Sequence, residues 1–128
     1  MEPPVNTALY ETALSVCWFD RDGILCCLPK GVLLDRDTVK GSQQTLLELI
    51  SNRKICVLMD VTHAWPLDVQ QQGYVIPGMS AYKALALVSG SPLGRKAIDR
   101  FIRSNDQGSP VKMFPSEKEA RQWLKQYL

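Results

Sequence analysis

Two short, unbroken apolar runs constrain this chain most. They are Ile55-Cys56-Val57-Leu58-Met59 and Ala84-Leu85-Ala86-Leu87-Val88. Each has the length of a strand and falls short of a buried helix. A strand that is apolar at every position has no solvent face, so both runs predict a sheet covered on both sides, as parallel sheets are. Parallel neighbours need long crossovers between them, and helical patterns flank the runs. Val39, Gln43, Leu46, Leu47 and Ile50 recur near a 3.6 period, with Asp35 or Asp37 placed to cap the start and Asn52 the end. Gly41 inside this helix costs about 1 kcal/mol relative to alanine and predicts an irregular first turn.

The remaining elements follow from turn and cap chemistry. Residues 12–19 carry the β-formers Val16, Trp18 and Phe19, and Ile24-Leu25-Cys26-Cys27-Leu28 stops at Pro29. Asp20-Arg21-Asp22-Gly23 between them predicts a β-hairpin. Pro66, Gly73, Pro77 and Gly78 interrupt residues 61–80, where a loop, a short helix near Leu67–Tyr74 and a turn are expected. Ser91 with Pro92 starts another helix, striped by Leu93, Ala97, Ile98, Phe101 and Ile102. Val111-Lys112-Met113-Phe114 reads as a short strand. Ser116-Glu117-Lys118-Glu119 matches a capping box for a last helix with Ala120, Trp123, Leu124 and Tyr127 on its buried face. The sum is an α/β domain: a mixed, largely parallel sheet of about five strands with an N-terminal β-hairpin, covered by about four helices. Pro3 and Pro4 predict a flexible arm over residues 1–10, leaving 11–128 as a single domain.

Composition excludes several classes. The 128 residues suit one domain. At 45% hydrophobic and 22% charged the chain is not of a disordered type. A net charge of +2 is too balanced for a dedicated nucleic-acid binder. No apolar run approaches the roughly 18 residues of a transmembrane helix, and Met1-Glu2-Pro3-Pro4 lacks the features of a signal peptide, so a cytoplasmic protein is expected. Cys17, Cys26, Cys27 and Cys56 form no Cys-x-x-Cys pair, and His63 is the only histidine. Four-ligand zinc spacing is absent, and no metal or other cofactor is expected. The cysteines read as small buried hydrophobes with reduced thiols. The paired hairpin strands leave one redox alternative, Cys17 with Cys26 or Cys27, although nothing nearby in sequence is arranged to acidify a thiol.

Four stretches together resemble the SpoIIAA-like branch of the STAS (anti-sigma-factor antagonist) superfamily, which is also similar to the lipid-binding Sec14 (CRAL-TRIO) domain. They are Trp18-Phe19-Asp20-Arg21-Asp22-Gly23-Ile24, Leu58-Met59-Asp60-Val61-Thr62, the block from Lys83 to Arg95, and the close from Pro110 to Leu124. The likeness spans about residues 12–126. It implies a bacterial, non-enzymatic protein-interaction and regulatory module. Phosphorylatable members of the superfamily carry a serine in an Asp-Ser-Ser-Gly-type loop beyond the central strand. Here Asp60-Val61-Thr62-His63-Ala64-Trp65-Pro66-Leu67-Asp68 has no serine, and Thr62 is its only hydroxyl. The resemblance therefore implies a module without the phosphoserine switch.

Four groups of residues are candidates for function. Asp60, Thr62, His63 and Asp68 follow the central strand, whose carboxyl end is where open α/β sheets bind ligands. A carboxylate-oriented histidine there has general-base chemistry, but no nucleophile or oxyanion site accompanies it, and a capped, solvated loop explains the same residues. Ser89, Ser91, Arg95 and Lys96 surround a helix start suited to an anion. The sequence there is not a P-loop, and an ordinary capped turn also accounts for it. Residues 95–128 carry eight basic and four acidic side chains, with Arg95, Lys96, Arg100 and Arg103 on one helix. They face an acidic partner, lipid headgroups or simply solvent. Trp65, Tyr74, Val75, Ile76, Met79 and Tyr82 form a lid, a contact patch or core.

Two functions follow. The first is an interaction module that binds a protein partner, or a second copy as a homodimer, through residues 61–82. The second is a Sec14-like binder that holds a small apolar or anionic, lipid-like ligand, with Ser89–Lys96 taking the headgroup. The expected candidate residues are Asp60, Thr62, His63, Trp65, Tyr74, Ile76, Met79, Ser89, Ser91, Arg95 and Lys96, none of them catalytic.

Overall fold

The hairpin is built around one carboxylate and one glycine. In the computed structural model, which describes residues 2–12, 15–29, 36–50, 53–60, 82–90 and 109–128, the Asp20 N–H donates to the Ile24 carbonyl at 2.9 Å. The Gly23 N–H donates to the Asp20 carbonyl at 3.1 Å. Gly23 has φ +81°, a conformation that costs a residue with a Cβ about 1–2 kcal/mol. Asp20 Oδ1 accepts from the Asp22 and Ile24 N–H groups at 2.9 and 3.0 Å. The turn so fixed joins β2 (Ser15–Phe19) to β3 (Leu25–Pro29), antiparallel, with Phe19 opposite Leu25 and Cys17 opposite Cys27.

A two-residue strand, β1 (Tyr10–Glu11), pairs antiparallel with β2, with Tyr10 opposite Cys17. Both its residues are exposed, so no buried periodicity announces it in the sequence. Tyr10 meets Phe19 edge-on at 6.1 Å between ring centroids.

The parallel part continues from β3. Helix α1 (Arg36–Ile50) runs unbroken through Gly41, so the irregular first turn is not found. It leads to β4 (Cys56–Asp60), which lies parallel to β3. β5 (Ala84–Val88) is parallel to β4, and β6 (Val111–Phe114) is parallel to β5. The six-stranded sheet has the order β1-β2-β3-β4-β5-β6, so every strand neighbours its predecessor in sequence. Helix α2 (Glu117–Leu124) follows, and its N-cap Ser116 accepts from the Glu119 N–H, as the capping pattern predicts. A short 3₁₀ turn, Lys125–Tyr127, closes the chain.

Strand alternation sorts the core into two layers. Cys17, Leu25, Cys27, Val57, Leu85 and Leu87 pack with Leu46 and Ile50 of α1. Trp18, Cys26, Cys56, Leu58, Ala84, Ala86 and Phe114 pack with Ala120 and Leu124 of α2. The run Ala84–Val88 reads as uniformly apolar, yet its sizes alternate. Leucines fill the α1 side. Alanines on the other side meet Ala120 and leave room for α2 to approach the sheet, because close-packed interiors demand that volumes match. Phe114, Trp123 and Tyr127 extend this layer as a row of rings, with centroids 5.5 and 5.0 Å apart.

Candidate functional site

The parallel register puts the first residues of the two leading sequence candidates, Asp60 and Ser89, at one end of the sheet. Asp60, the last residue of β4, is the register partner of Val88, the last residue of β5. Asp60 and Ser89 therefore stand at the carboxyl ends of adjacent strands. Asp60 is half-buried, Ser89 is buried and Gly90 is exposed. The Ser89 N–H donates to the Phe114 carbonyl at 3.0 Å, which ties the end of β5 to β6. Thr62, His63, Trp65, Tyr74, Ile76, Met79, Ser91, Arg95 and Lys96 lie outside the described residues, as do Asp68, Val75, Arg100 and Arg103. Tyr82 is placed, and it is core. It is 1% exposed, in the layer beneath α1, so the aromatic stretch ends inside the protein.

A second polar cluster sits towards the opposite end of the parallel strands, on the α2 side. Asp20 Oδ2 accepts from Arg121 Nη1, and Glu117 Oε1 accepts from Arg121 Nε at 2.9 Å. Arg121 Nη2 lies 3.6 Å from the Cys26 sulfur. Burial disfavours the guanidinium charge, but the carboxylates of Asp20 and Glu117 outweigh it and hold Arg121 charged. Burial, and then the negative charge of Asp20, push the Cys26 thiol up to about 11, with Arg121 opposing. The cluster therefore offers neither an uncommitted cation nor a reactive thiolate. It is a clamp joining the hairpin turn to the last helix. Sequence reading assigns Asp20 only to the turn and misses Arg121, because the two are 101 residues apart and no local pattern connects them.

The third cluster is a buried row on the α1 side. Thr12 Oγ1 lies 3.1 Å from Ser15 Oγ, Ser15 Oγ lies 3.4 Å from Cys17 Sγ, and the Cys17 thiol donates to Cys27 Sγ at 3.2 Å. All four cysteines are buried and unbridged. Of the two partners that sequence allows for Cys17, the register selects Cys27. Cys26 points into the other layer. Burial raises the Cys56 thiol pKa, with Lys83 opposing. Among the described residues no group of three or more acidic, histidine or cysteine side chains is arranged to hold a metal ion. No described helix is long and apolar enough to cross a membrane.

An antiparallel hairpin feeding four consecutive parallel strands, with helices on both faces, defines the fold as SpoIIAA-like. The chain is similar over 97% of its length, and over 98% of the other chain, to an uncharacterised protein of the DUF3478 family with a SpoIIAA-like fold from Shewanella loihica PV-4, with a TM-score of 0.54 and 14% identity. The chain belongs to the family described as a domain of unknown function, DUF7793, whose pattern it matches over residues 17–128. A protein of unknown function from Arthrobacter sp. FB24 is 24% identical, with 96% of each chain covered and a TM-score of 0.32. No curated protein matches the chain.

Proposed function

We propose that this chain is a non-enzymatic regulatory module that binds a protein partner, or a second copy of itself, at the carboxyl rim of its parallel strands. The observation that carries this reading is the pairing of β4 with β5. It places Asp60 and Ser89 at the carboxyl ends of adjacent strands, on one edge of the sheet. The strand order supports a surface over a crevice. Doubly wound sheets bind small ligands where the strand order reverses, and the order of the described strands runs from β1 to β6 without reversal. The SpoIIAA-like fold is consistent with an interaction role. In this reading Trp65, Tyr74, Ile76 and Met79 supply the apolar centre of the interface. Asp60, Thr62, His63, Arg95 and Lys96 supply its polar rim, the usual anatomy of such surfaces.

The test is quantitative binding with rim variants. The tagged chain is used to isolate its partner from the cells that encode it, and the purified pair is titrated. Asp60→Arg and Trp65→Ala each weaken the complex about tenfold or more, the range of hot-spot substitutions. Lys118→Ala, at an exposed position of α2, leaves it unchanged. Equal affinity of all four proteins would remove the rim from the account.

A further inference from the structure

We propose that Cys17 and Cys27 are a redox modification site, a reversible cross-strand dithiol that closes to a disulfide on reaction with a peroxide. The two residues are direct register partners on β2 and β3, and their sulfurs are 3.2 Å apart. The Asp20 N–H bond to Ile24 makes 20 and 24 a hydrogen-bonded pair. By alternation 18 with 26 is also such a pair, and 17 with 27 is a non-hydrogen-bonded one. In that kind of pair the side chains approach most closely, and the Cα separation of about 4.5 Å falls within the span of a disulfide. Closure therefore asks the sulfurs to approach by about 1 Å with the strands in place.

The surroundings favour one thiolate. Cys17 is more acidic than an ordinary thiol because the Cys27 S–H donates to its ionised form. Burial opposes this and the Ser15 hydroxyl adds to it. Cys27 keeps its proton far above the usual range, first because of Cys17 and then because of burial. One sulfur is thus the nucleophile and the other the resolving thiol. The Cys17 thiolate attacks one peroxide oxygen, the O–O bond breaks and Cys17 becomes a sulfenic acid. The released hydroxide takes up a proton to form water. The Cys27 sulfur then attacks the sulfenic sulfur, the S–S bond forms and the S–O bond breaks. The second hydroxide leaves as water with the Cys27 proton. Two thiols are oxidised and one hydrogen peroxide is reduced to two waters. A dithiol reductant reverses the step by exchange.

Both thiols are without exposed surface, so access depends on local opening. The outer edge of β2 is covered by β1, two exposed residues long, with Tyr10 opposite Cys17. Short, exposed edge elements open at low free energy, and hydrogen peroxide is scarcely larger than water.

The test uses the reduced full-length chain, treated with hydrogen peroxide, denatured in excess alkylating agent and weighed intact. The expected product has lost about 2 Da, keeps two alkylatable cysteines and yields one peptide pair linked through Cys17 and Cys27. Its Tm rises by about 5–10 °C, and a dithiol reductant restores the original value. Cys27→Ser cannot close and instead gains oxygen at Cys17. The peptide map of the wild-type chain stands even where a variant folds poorly. Peroxide treatment that leaves all four thiols alkylatable, or that links any other pair, overturns the proposal.

Discussion

Leu58→Ala lowers the stability of this chain by about 3–4 kcal/mol. Leu58 is 0% exposed and lies on the central strand β4, in the layer between the sheet and α2. Its neighbours there are held from both sides. Trp18 and Cys26 belong to the hairpin, Ala86 to β5, and Ala120 and Leu124 to α2. With β3 and β5 paired on either side of β4 and α2 packed above, the surroundings cannot collapse into the vacancy, so the cavity penalty adds to the lost transfer free energy. For a domain of ordinary stability, about 5–15 kcal/mol, this is about a fifth or more of the total. Urea unfolding checks it. The midpoint falls and the slope stays constant, because the surface exposed on unfolding barely changes. A loss under about 1 kcal/mol would mean that Leu58 is not packed between sheet and helix.

Asp20→Ala costs about 2–4 kcal/mol, although Asp20 occupies a turn where most substitutions change little. One carboxylate performs two tasks. Oδ1 accepts from two turn N–H groups, and Oδ2 accepts from Arg121. The Asp20 side chain is 12% exposed and that of Arg121 is 31% exposed, so solvent screening discounts the charge component but not the turn bonds. Asp20→Asn separates the two tasks. An amide oxygen at Oδ1 still closes the turn, while the amide nitrogen faces a guanidinium that can only donate. The asparagine variant therefore sits between wild type and alanine. Arg121→Ala costs less in the Asp20→Asn background than in wild type, with a coupling of about 1–2 kcal/mol. Additive costs in that cycle would show the clamp to be energetically idle.

The sequence exposes this fold where local chemistry dictates it. β5 falls on the residues of its apolar run, β6 on the short strand read at Val111–Phe114, the hairpin turns at Asp20–Gly23, and α2 starts at its predicted cap. These features depend on residues close in the chain. β1 escapes because two exposed residues make no pattern. The Arg121 clamp escapes because its partner lies on another element. The Cys17–Cys27 pairing is half legible. The Asp-Gly turn pairs the strands, but only its register separates Cys27 from Cys26. The candidate site divides in the same way. The apolar runs place Asp60 and Ser89 on strand ends, and the parallel pairing then makes them neighbours. Nothing local in the interrupted stretch from Val61 to Ser80 supplies an equivalent constraint, since its prolines and glycines break both periodicities.

The most direct measurement is native mass spectrometry of the chain purified gently from its own cells, followed by denaturing mass measurement of whatever dissociates. An interaction module yields a complex of defined stoichiometry with a protein, or with a second copy, and no small molecule released on denaturation. A mass of a few hundred daltons that stays through native analysis and leaves on denaturation, the size of a single lipid-like ligand, contradicts the account and makes the chain a ligand carrier.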